Sequence, residues 1–307
     1  MGDAVSLSKV WGAALCIVSM SSCELWLDVE APQCTTSKTC VELLGRGFTC
    51  GSAGVCLAPA RPEPSAPSGE DDDWPARWAC AGEPPDDVVA NPDRNIRIRM
   101  DAVDFTSLRV PPGLTARACN PADVECSAPV ATDVQPGADG FLEFMVPHGF
   151  AGFLTFDAPN IVPGLMYNTR PMIESTTTSG PALATGETLM DIAEHSGRPN
   201  DDSRGLAILE IRDCNDAAGD GVSFDSVDGE EPFYFDGALP ARDLEATTIS
   251  NLLGAGRERR AVGGFSNLPP GYVTFQIRLA ENEEPIARTT LQIRAGHITY
   301  VRVYPGF

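Results

Sequence analysis

The chain is poor in several residue types on which common functions depend. Its 307 residues include 22 lysines and arginines against 43 aspartates and glutamates, which gives a net charge of −21. Nucleic-acid binding requires a basic surface that neutralises phosphates, so this charge balance argues against a nucleic-acid partner. The sequence also has only 3 histidines, no Cys-x-x-Cys pair and no Gly-x-Ser-x-Gly segment. It therefore lacks the usual signatures of structural zinc sites and of α/β-hydrolases.

The sequence has no apolar run long enough to cross a membrane, and its main apolar run lies near the start. Val10 to Met20 covers 11 residues. This is too short for a bilayer but typical of the hydrophobic region of an export signal, and Lys9 supplies positive charge. We predict that residues 1–22 are a signal peptide. The segment Met20-Ser-Ser-Cys23 resembles the lipobox of bacterial lipoproteins, which implies that Cys23 is lipidated and becomes the mature N-terminus.

An ordinary secretory signal, with Cys23 entering a disulfide, is the alternative. If Cys23 is lipidated, the protein is exported and anchored at the cell envelope, on the periplasmic or surface side of the outer membrane. The membrane is then its first partner, and an envelope protein or a glycan is a further partner.

Cysteine is abundant, with 10 residues in the chain, and this favours an oxidising compartment. Cys34, Cys40, Cys50 and Cys56 lie close together among glycines, with too little apolar sequence around them for a core. We predict that residues 23–57 form a small module held by two disulfides among these four cysteines, with the pairing left open. Zinc binding by the four thiolates is the alternative.

The remainder of the chain predicts a mainly β fold. Residues 58–79 form a proline-rich and acidic linker, because closely spaced prolines keep a segment extended. Beyond it, segments of alternating apolar and polar residues predict strands with one buried face. We predict two tandem antiparallel β-sandwich domains, at residues 80–172 and 173–307. The two share an order of elements at a spacing of about 110 residues, which indicates a domain duplication.

One segment, Gly271–Leu279, alternates most regularly, with four apolar residues predicted to face the core: Val273, Phe275, Ile277 and Leu279. Residues 288–294 and 297–304 alternate as well, and the short turn between them predicts a closing hairpin. A single helix is expected from Gly186 to His195, with Thr188 as its N-cap.

Further cysteines lie in the two predicted sandwich domains. Cys119 and Cys126 are close enough in sequence to close a small loop, and we predict a disulfide between them. The sequence leaves the pairing of Cys80 and Cys214 open.

An acidic loop offers a weak calcium candidate. Asp213, Asn215, Asp216 and Asp220 supply oxygen ligands beside turn glycines. Their spacing differs from that of an EF-hand loop, and turns rich in aspartate and asparagine look the same without a metal. We therefore expect neither a metal nor another cofactor.

Short segments between Leu206 and Tyr304 follow a recognisable order: Gly221-Val222, Thr247-Thr248, Gly264-Phe265, Leu268-Pro-Pro-Gly271-Tyr272-Val273 and Thr289-Thr290-Leu-Gln-Ile293 with Gly296. Together they resemble the carboxypeptidase regulatory-like domain, a β-sandwich of the transthyretin type. Domains of this family are generally non-catalytic, so the resemblance implies a rigid spacer or a binding accessory.

The function that these expectations favour is non-enzymatic. We predict a secreted lipoprotein that acts as a cell-envelope spacer or as a protein-binding module. A glycan-binding accessory is one alternative, and it requires exposed aromatic side chains on one face. A hydrolase without a sequence motif is another, and it requires His148, His195 or His297 beside a serine and a carboxylate in one cleft.

Overall fold

The computed structural model describes residues 49–50, 56–57, 74–81, 90–91, 93–241, 243–250 and 259–306. The chain divides into two compact units, residues 1–69 and 70–307. In the first unit β1 (Thr49–Cys50) pairs antiparallel with β2 (Cys56–Leu57), and Cys50 is the partner of Cys56 in the register. The predicted signal peptide and Cys23, Cys34 and Cys40 lie outside the described residues.

The second unit consists mostly of β-strands, which confirms the predicted class. Its helices are α1 (Trp74–Arg77) and α2 (Gly186–Ser196). No helix in the described ranges combines the length and the hydropathy needed to traverse a lipid bilayer. The strands are β3 (Asn95–Asp104), β4 (Thr115–Cys119), β5 (Ala131–Val134), β6 (Phe141–Pro147), β7 (Phe153–Asp157), β8 (Gly164–Asn168), β9 (Thr176–Leu183), β10 (Gly205–Ile211), β11 (Val222–Phe224), β12 (Phe233–Asp236), β13 (Leu239–Ala241), β14 (Ile249–Ser250), β15 (Arg260–Leu268), β16 (Gly271–Leu279), β17 (Pro285–Ile293) and β18 (Ile298–Val303).

The strands of this unit form three layers. A central sheet of ten strands has the order β13-β12-β15-β10-β18-β8-β7-β4-β5, with β14 paired to β15. The three-stranded β3 sheet (β6-β3-β9) packs on one face of it, and the β16 sheet (β11-β16-β17) packs on the other. Side chains alternate between the faces of a strand. Along β10, Leu206 therefore enters the core on the β3-sheet side, whereas Ala207 and Leu209 enter the core on the β16-sheet side.

Each small sheet forms a β-sandwich with the central sheet, so the predicted sandwich class is confirmed. The two sandwiches nevertheless share their central layer. β8 pairs with β18, and β3 pairs with β9, across the boundary that the sequence placed between residues 172 and 173. That boundary therefore does not separate two tandem domains, because residues 70–307 form one unit. Alternation along one strand identifies its buried face but carries no information about its neighbour in the sheet.

The strand pairing also differs from the antiparallel arrangement that was predicted. β10 with β18, β18 with β8, and β3 with β9 are parallel pairs. The predicted closing hairpin is wrong, because β17 pairs with β16 while β18 lies between β10 and β8 in the central sheet. The turn at Gly296, with a φ of +64°, carries the chain from one layer to the other. All six residues of β18 are buried, as is typical of a strand covered on both faces.

Two local predictions are confirmed, apart from the predicted N-cap of the helix at Thr188, which is wrong. In β16 the four predicted core residues are buried, while Tyr272 and Thr274 on the other face are exposed. Helix α2 forms where it was expected, but its N-cap is Thr185, whose Oγ1 accepts a hydrogen bond from the Thr188 amide at 3.1 Å. The helix ends at Gly197, which adopts a φ of +81° that glycine tolerates at a helix C-terminus.

Two disulfides cross-link the second unit. Cys119 is bonded to Cys126 at the end of β4. Cys80 is bonded to Cys214, 134 residues away, and so fastens the segment that begins with α1 to the loop after β10. Trp78 in this segment is buried in the core beneath the β16 sheet. Residues 74–81, which include the end of the predicted linker, therefore belong to the folded body.

We expect the two disulfides to differ in their contribution to stability. Replacing Cys80 and Cys214 by serine should lower the free energy of unfolding by about 5 kcal/mol, because the loop between them is long. The same change at Cys119 and Cys126, only 7 residues apart, should cost about 2.5 kcal/mol. Urea-induced unfolding of the two double variants measures both losses. An equal loss of stability in the two variants, or a larger loss when the Cys119–Cys126 disulfide is removed, would contradict this expected order.

Candidate functional site

The residues predicted as weak calcium candidates lie in the loop after β10, where an arginine is bound among them. Arg77 of α1 donates from Nε to Asp213 Oδ2 at 2.9 Å, and its Nη1 lies 2.8 Å from Asp220 Oδ1. The other oxygen of Asp213 accepts hydrogen bonds from the amides of Asn215 and Ala217, each at 2.9 Å. A guanidinium therefore binds two of the three carboxylates that the sequence offered to a cation.

The rest of this loop serves to fasten α1. The Cys214 amide donates to the Arg77 carbonyl at 3.0 Å, next to the disulfide with Cys80. Asp216, the remaining carboxylate of the predicted cluster, is hydrogen-bonded to the hydroxyl of Tyr304. Within the described ranges, no three or more His, Cys, Asp or Glu side chains are grouped so that they could hold a metal ion.

The three histidines lie in three different parts of the fold. The Nδ1 atom of His148 accepts a hydrogen bond from the Asn91 amide at 3.2 Å. His195 Nδ1 is hydrogen-bonded to the Asp191 carbonyl at 2.8 Å, and His297 Nδ1 to the Ala295 carbonyl at 2.8 Å. These bonds join each ring to the backbone, so none of them is the histidine–serine contact that the hydrolase alternative requires.

The tyrosines do not form an aromatic platform. Of the 5 in the chain, Tyr272 alone is largely exposed, at 68%. Tyr234 and Tyr300 are buried, and Tyr167 and Tyr304 are half-buried. A glycan platform needs at least two exposed rings side by side, and the tyrosines do not supply a second one.

A groove of about 600 Å³ lies beside the N-terminal half of α2, and sequence reasoning did not identify it. Its lining combines apolar and polar side chains. The apolar residues include Val162, Pro163, Leu189 and Met190, and the polar residues are Asn200, Asp202, Arg204 and His297. The groove is built from α2, the start of β8, the segment before β10 and the turn before β18, which are far apart in sequence.

Backbone hydrogen bonds join the two segments that carry Arg204 and His297 in the lining of the groove. The Leu206 amide donates to the His297 carbonyl at 3.1 Å, and the Gly296 amide donates to the Arg204 carbonyl at 2.8 Å. At the rim Met190 is 62% exposed, which is unusual for a large apolar side chain on an otherwise acidic surface. The groove is thus a rigid concave surface with an exposed, adaptable side chain at its edge.

Inside the fold, three arginines surround a single carboxylate. Glu210 of β10, Arg260 of β15, Arg302 of β18 and Arg212 are all buried. Arg212 donates to one oxygen of Glu210, Arg260 Nη1 lies 3.4 Å from the other, and Arg302 Nη2 lies 3.5 Å from it. Sequence reasoning missed this cluster, although charged residues inside apolar strands are the signal that could have revealed it.

The arginines hold Glu210 in its charged form. Burial alone would raise the pKa of this carboxyl group, because a charge is poorly solvated in the interior. The positive charges of Arg302, Arg260 and Arg212 outweigh burial and lower the pKa from 4.5 to about 2. At neutral pH Glu210 is therefore an anion shared by three cations.

Comparisons with known proteins reveal no family. No family model matches the chain, and no curated protein matches it. Among solved structures it is similar to the Bacillus anthracis TIE protein (12% identity, TM-score 0.21), over 69% of this chain and 34% of that one. It is also similar to the CBM26 module of Eubacterium rectale Amy13K, whose structure is a complex with maltoheptaose. This match has 8% identity and a TM-score of 0.23, over 68% of this chain and 92% of that one. A streptococcal ancillary pilin matches at 13% identity and a TM-score of 0.17, over 69% of each chain.

The chain spans about a third of the length of the TIE protein. TM-scores this low carry no argument about function. The resemblances to bacterial lipoproteins and to the carboxypeptidase regulatory-like domain therefore stay predictions.

We expect Glu210→Gln to remove a defined part of the acid sensitivity of the fold. The native pKa of Glu210 lies below its value in the unfolded chain, so its ionised form stabilises the fold above about pH 4.5, the usual pKa of the group. This stabilisation, on the order of 3 kcal/mol, is lost as the pH falls towards 2.

Urea-induced unfolding of the wild type and of Glu210→Gln at several pH values between 7 and 2 tests this expectation. The stability difference between the two proteins should be largest at neutral pH and should shrink in acid. Glu143→Gln is the control, because Glu143 is half-exposed and lies 3.9 Å from Arg97. Parallel stability curves for the wild type and Glu210→Gln would show that the cluster does not control the ionisation of Glu210.

Proposed function

We propose that the protein is a non-enzymatic binding module of the cell envelope, and that the groove beside α2 holds an extended peptide segment of a partner protein. The observation that carries this proposal is the groove of about 600 Å³ with the exposed Met190 at its rim. Its volume lies within the range of protein sites that enclose several side chains of a ligand.

The lining supplies two complementary kinds of contact. Pro163, Leu189 and Met190 offer apolar surface whose burial would drive association. Methionine adapts its shape to different partners, because its side chain is unbranched and flexible. Asn200 and His297 in the same lining offer polar groups that can hydrogen-bond to a peptide backbone. This mixture of apolar and polar groups suits an extended chain, which presents both its side chains and its backbone to a groove.

The charges of the groove favour a basic segment. Arg204 and Arg198 share Glu230, and Arg198 also lies 3.8 Å from Glu231, so two carboxylates balance two arginines beside the groove. Asp202 adds a carboxylate that accepts a hydrogen bond from the Asn200 side chain at 2.7 Å. A net charge of −21 on the whole chain adds long-range attraction for a positively charged partner. A lysine- or arginine-containing peptide with an apolar side chain therefore fits this groove.

Export and anchoring complete the proposal. The disulfides Cys80–Cys214 and Cys119–Cys126 support an oxidising compartment, in which such bonds persist. A lipid on Cys23, followed by the cysteine-rich module and the proline-rich linker, would hold the binding module at a membrane surface. Because Tyr272 alone is largely exposed among the tyrosines, a protein partner is favoured over a glycan.

Met190→Glu tests the proposed groove. The carboxylate must stay hydrated, so apolar contacts with the partner should be lost, and this loss should outweigh the attraction between the new charge and a basic peptide. Peptides are selected on the wild type from a random 12-residue display library, and their affinities are measured by calorimetry. We expect the selected peptides to bind Met190→Glu at least tenfold more weakly.

Met145→Glu is the matched control, because Met145 is 51% exposed but lies on β6, away from the groove. Selected peptides should bind this variant as they bind the wild type. Equal weakening by both variants, or none by Met190→Glu, would contradict the assignment of the groove. Binding on a glycan array without any peptide selection would support the glycan alternative instead.

The anchor is tested separately. When the full chain is expressed in a Gram-negative host, we expect it in the membrane fraction, with a diacylglyceryl mass on Cys23 in the N-terminal peptide. Cys23→Ser should move the protein to the soluble fraction, because the thiol that carries the lipid is absent. An unmodified mature peptide that begins at another residue would refute lipidation and leave the groove proposal untouched.

A further inference from the structure

A small cavity lies inside the sandwich that the β3 sheet forms with the central sheet. Its volume is about 40 Å³. A single water needs a cavity of roughly 10–15 Å³, so this cavity can hold one small ion with one or two waters. Most of the lining is apolar and includes Ile208, Phe235 and Val262. Its polar lining is formed by Glu210, Arg260, Arg302 and Tyr300.

The charges that line the cavity do not cancel. Among the described residues, Glu210 is the one acidic residue with carboxylate oxygens within 4 Å of the guanidinium nitrogens of Arg260 and Arg302. Two positive charges therefore share one negative charge, which leaves an excess of one. Arg212, which does not line the cavity, also contacts this carboxylate and donates to the Asp216 carbonyl. An uncompensated charge in the interior is costly, because neither water nor a counter-ion solvates it.

The hydrogen bonds of the two arginines are incomplete. Arg302 donates from Nη1 to Thr178 Oγ1 at 2.6 Å and from Nη2 to the Ser179 carbonyl at 2.9 Å. Arg260 donates from Nη2 to the Gly180 carbonyl at 3.2 Å. Its Nε is buried and has no hydrogen-bond partner among the residues that the structure describes, and the side chain is only 5% exposed. A buried N–H donor on a charged group is rarely left unused.

We propose that this cavity binds one small monovalent anion beside Arg260 and Arg302. The ion would neutralise the excess charge and accept the hydrogen bond that Arg260 Nε leaves unmade. The apolar lining favours weakly hydrated anions, since the rest of their surface must leave water. Bromide, chloride and formate fit this description, whereas sulfate is too large for the cavity and fluoride is too strongly hydrated.

Thermal unfolding of the full chain at neutral pH tests the proposal. Ionic strength is kept constant while sodium gluconate, whose anion is too bulky for the cavity, is replaced by sodium bromide, chloride, formate or fluoride. Ligand binding to the native state raises the Tm with the logarithm of the ligand concentration once that concentration exceeds the dissociation constant. We expect this rise with bromide, chloride and formate but not with fluoride, and the comparison of formate with the halides distinguishes an organic from an inorganic occupant.

Two variants with opposite expected effects make the test specific. Arg260→Met removes the excess charge, so the affinity for bromide should fall at least tenfold. Glu210→Gln increases the excess charge, so bromide should bind several times more tightly. Arg288→Met is the control, because Arg288 is an exposed arginine on β17 and its loss should leave the bromide affinity unchanged. Anomalous diffraction from a bromide-soaked crystal should show one ion beside Arg260 Nε.

A competing source of negative charge is Glu258, which precedes Arg260 by two residues in the sequence and lies outside the described residues. If the chain supplies its own counter-ion, the Tm of the wild type will be the same in bromide as in gluconate, and Glu258→Gln will acquire a rise in Tm with bromide concentration. That result would overturn the proposal. It would also be overturned if bromide raised the Tm of the wild type, Arg260→Met and Glu210→Gln equally, because the effect would then be independent of the cluster.

Discussion

The Glu210 carboxylate, shared by three buried arginines, joins the layers of this fold. Glu210 and Arg302 are direct partners in the parallel pair of β10 and β18, and Arg260 enters from β15 on the other side of β10. The same arginines reach across to the β3 sheet, where Arg302 and Arg260 donate to the carbonyls of Ser179 and Gly180 in β9. One cluster thus connects three strands of the central sheet to the edge of a second sheet.

The backbone of β9 explains why arginines are needed at this place. The register between β3 and β9 shifts between Asp101 and Val103, opposite Gly180. A side chain at Gly180 could not be accommodated, because its Cβ would lie 1.9 Å from the Asp101 carbonyl oxygen. At such an irregularity, carbonyls leave the regular ladder and must find other donors. The guanidinium groups supply those donors, and Glu210 in turn compensates part of their charge.

A buried ion cluster of this kind is better suited to fixing an arrangement than to adding stability, since desolvation offsets much of the attraction between its charges. Shifting β18 by one residue relative to β10 would turn Arg302 away from Glu210 and place it in the opposite, apolar core. The cluster therefore penalises incorrect registers of the central strands. This matters in a sheet with parallel pairs, whose strands are joined by long connections rather than by tight turns.

The limits of prediction from the sequence follow from the same features. The buried face of β16 and the end of α2 at Gly197 depend on local patterns, and both were predictable. The position of β18 between β10 and β8 depends on partners far away in the sequence, so alternation alone suggested a hairpin with β17. The groove combines α2 with the turn at Gly296, and the charged cluster combines β10 with β15 and β18. No short segment of sequence contains either site.

Helix α2 connects the two sites, because its opposite sides face different surroundings. Met190 lies on the groove, whereas Ile192, two residues later, is buried and lines the cavity beside the arginines. Residues two apart on a helix point in nearly opposite directions, so both placements follow from a single orientation of the helix. The burial of Ile192 in the core therefore determines which side of α2 presents Met190 to the groove.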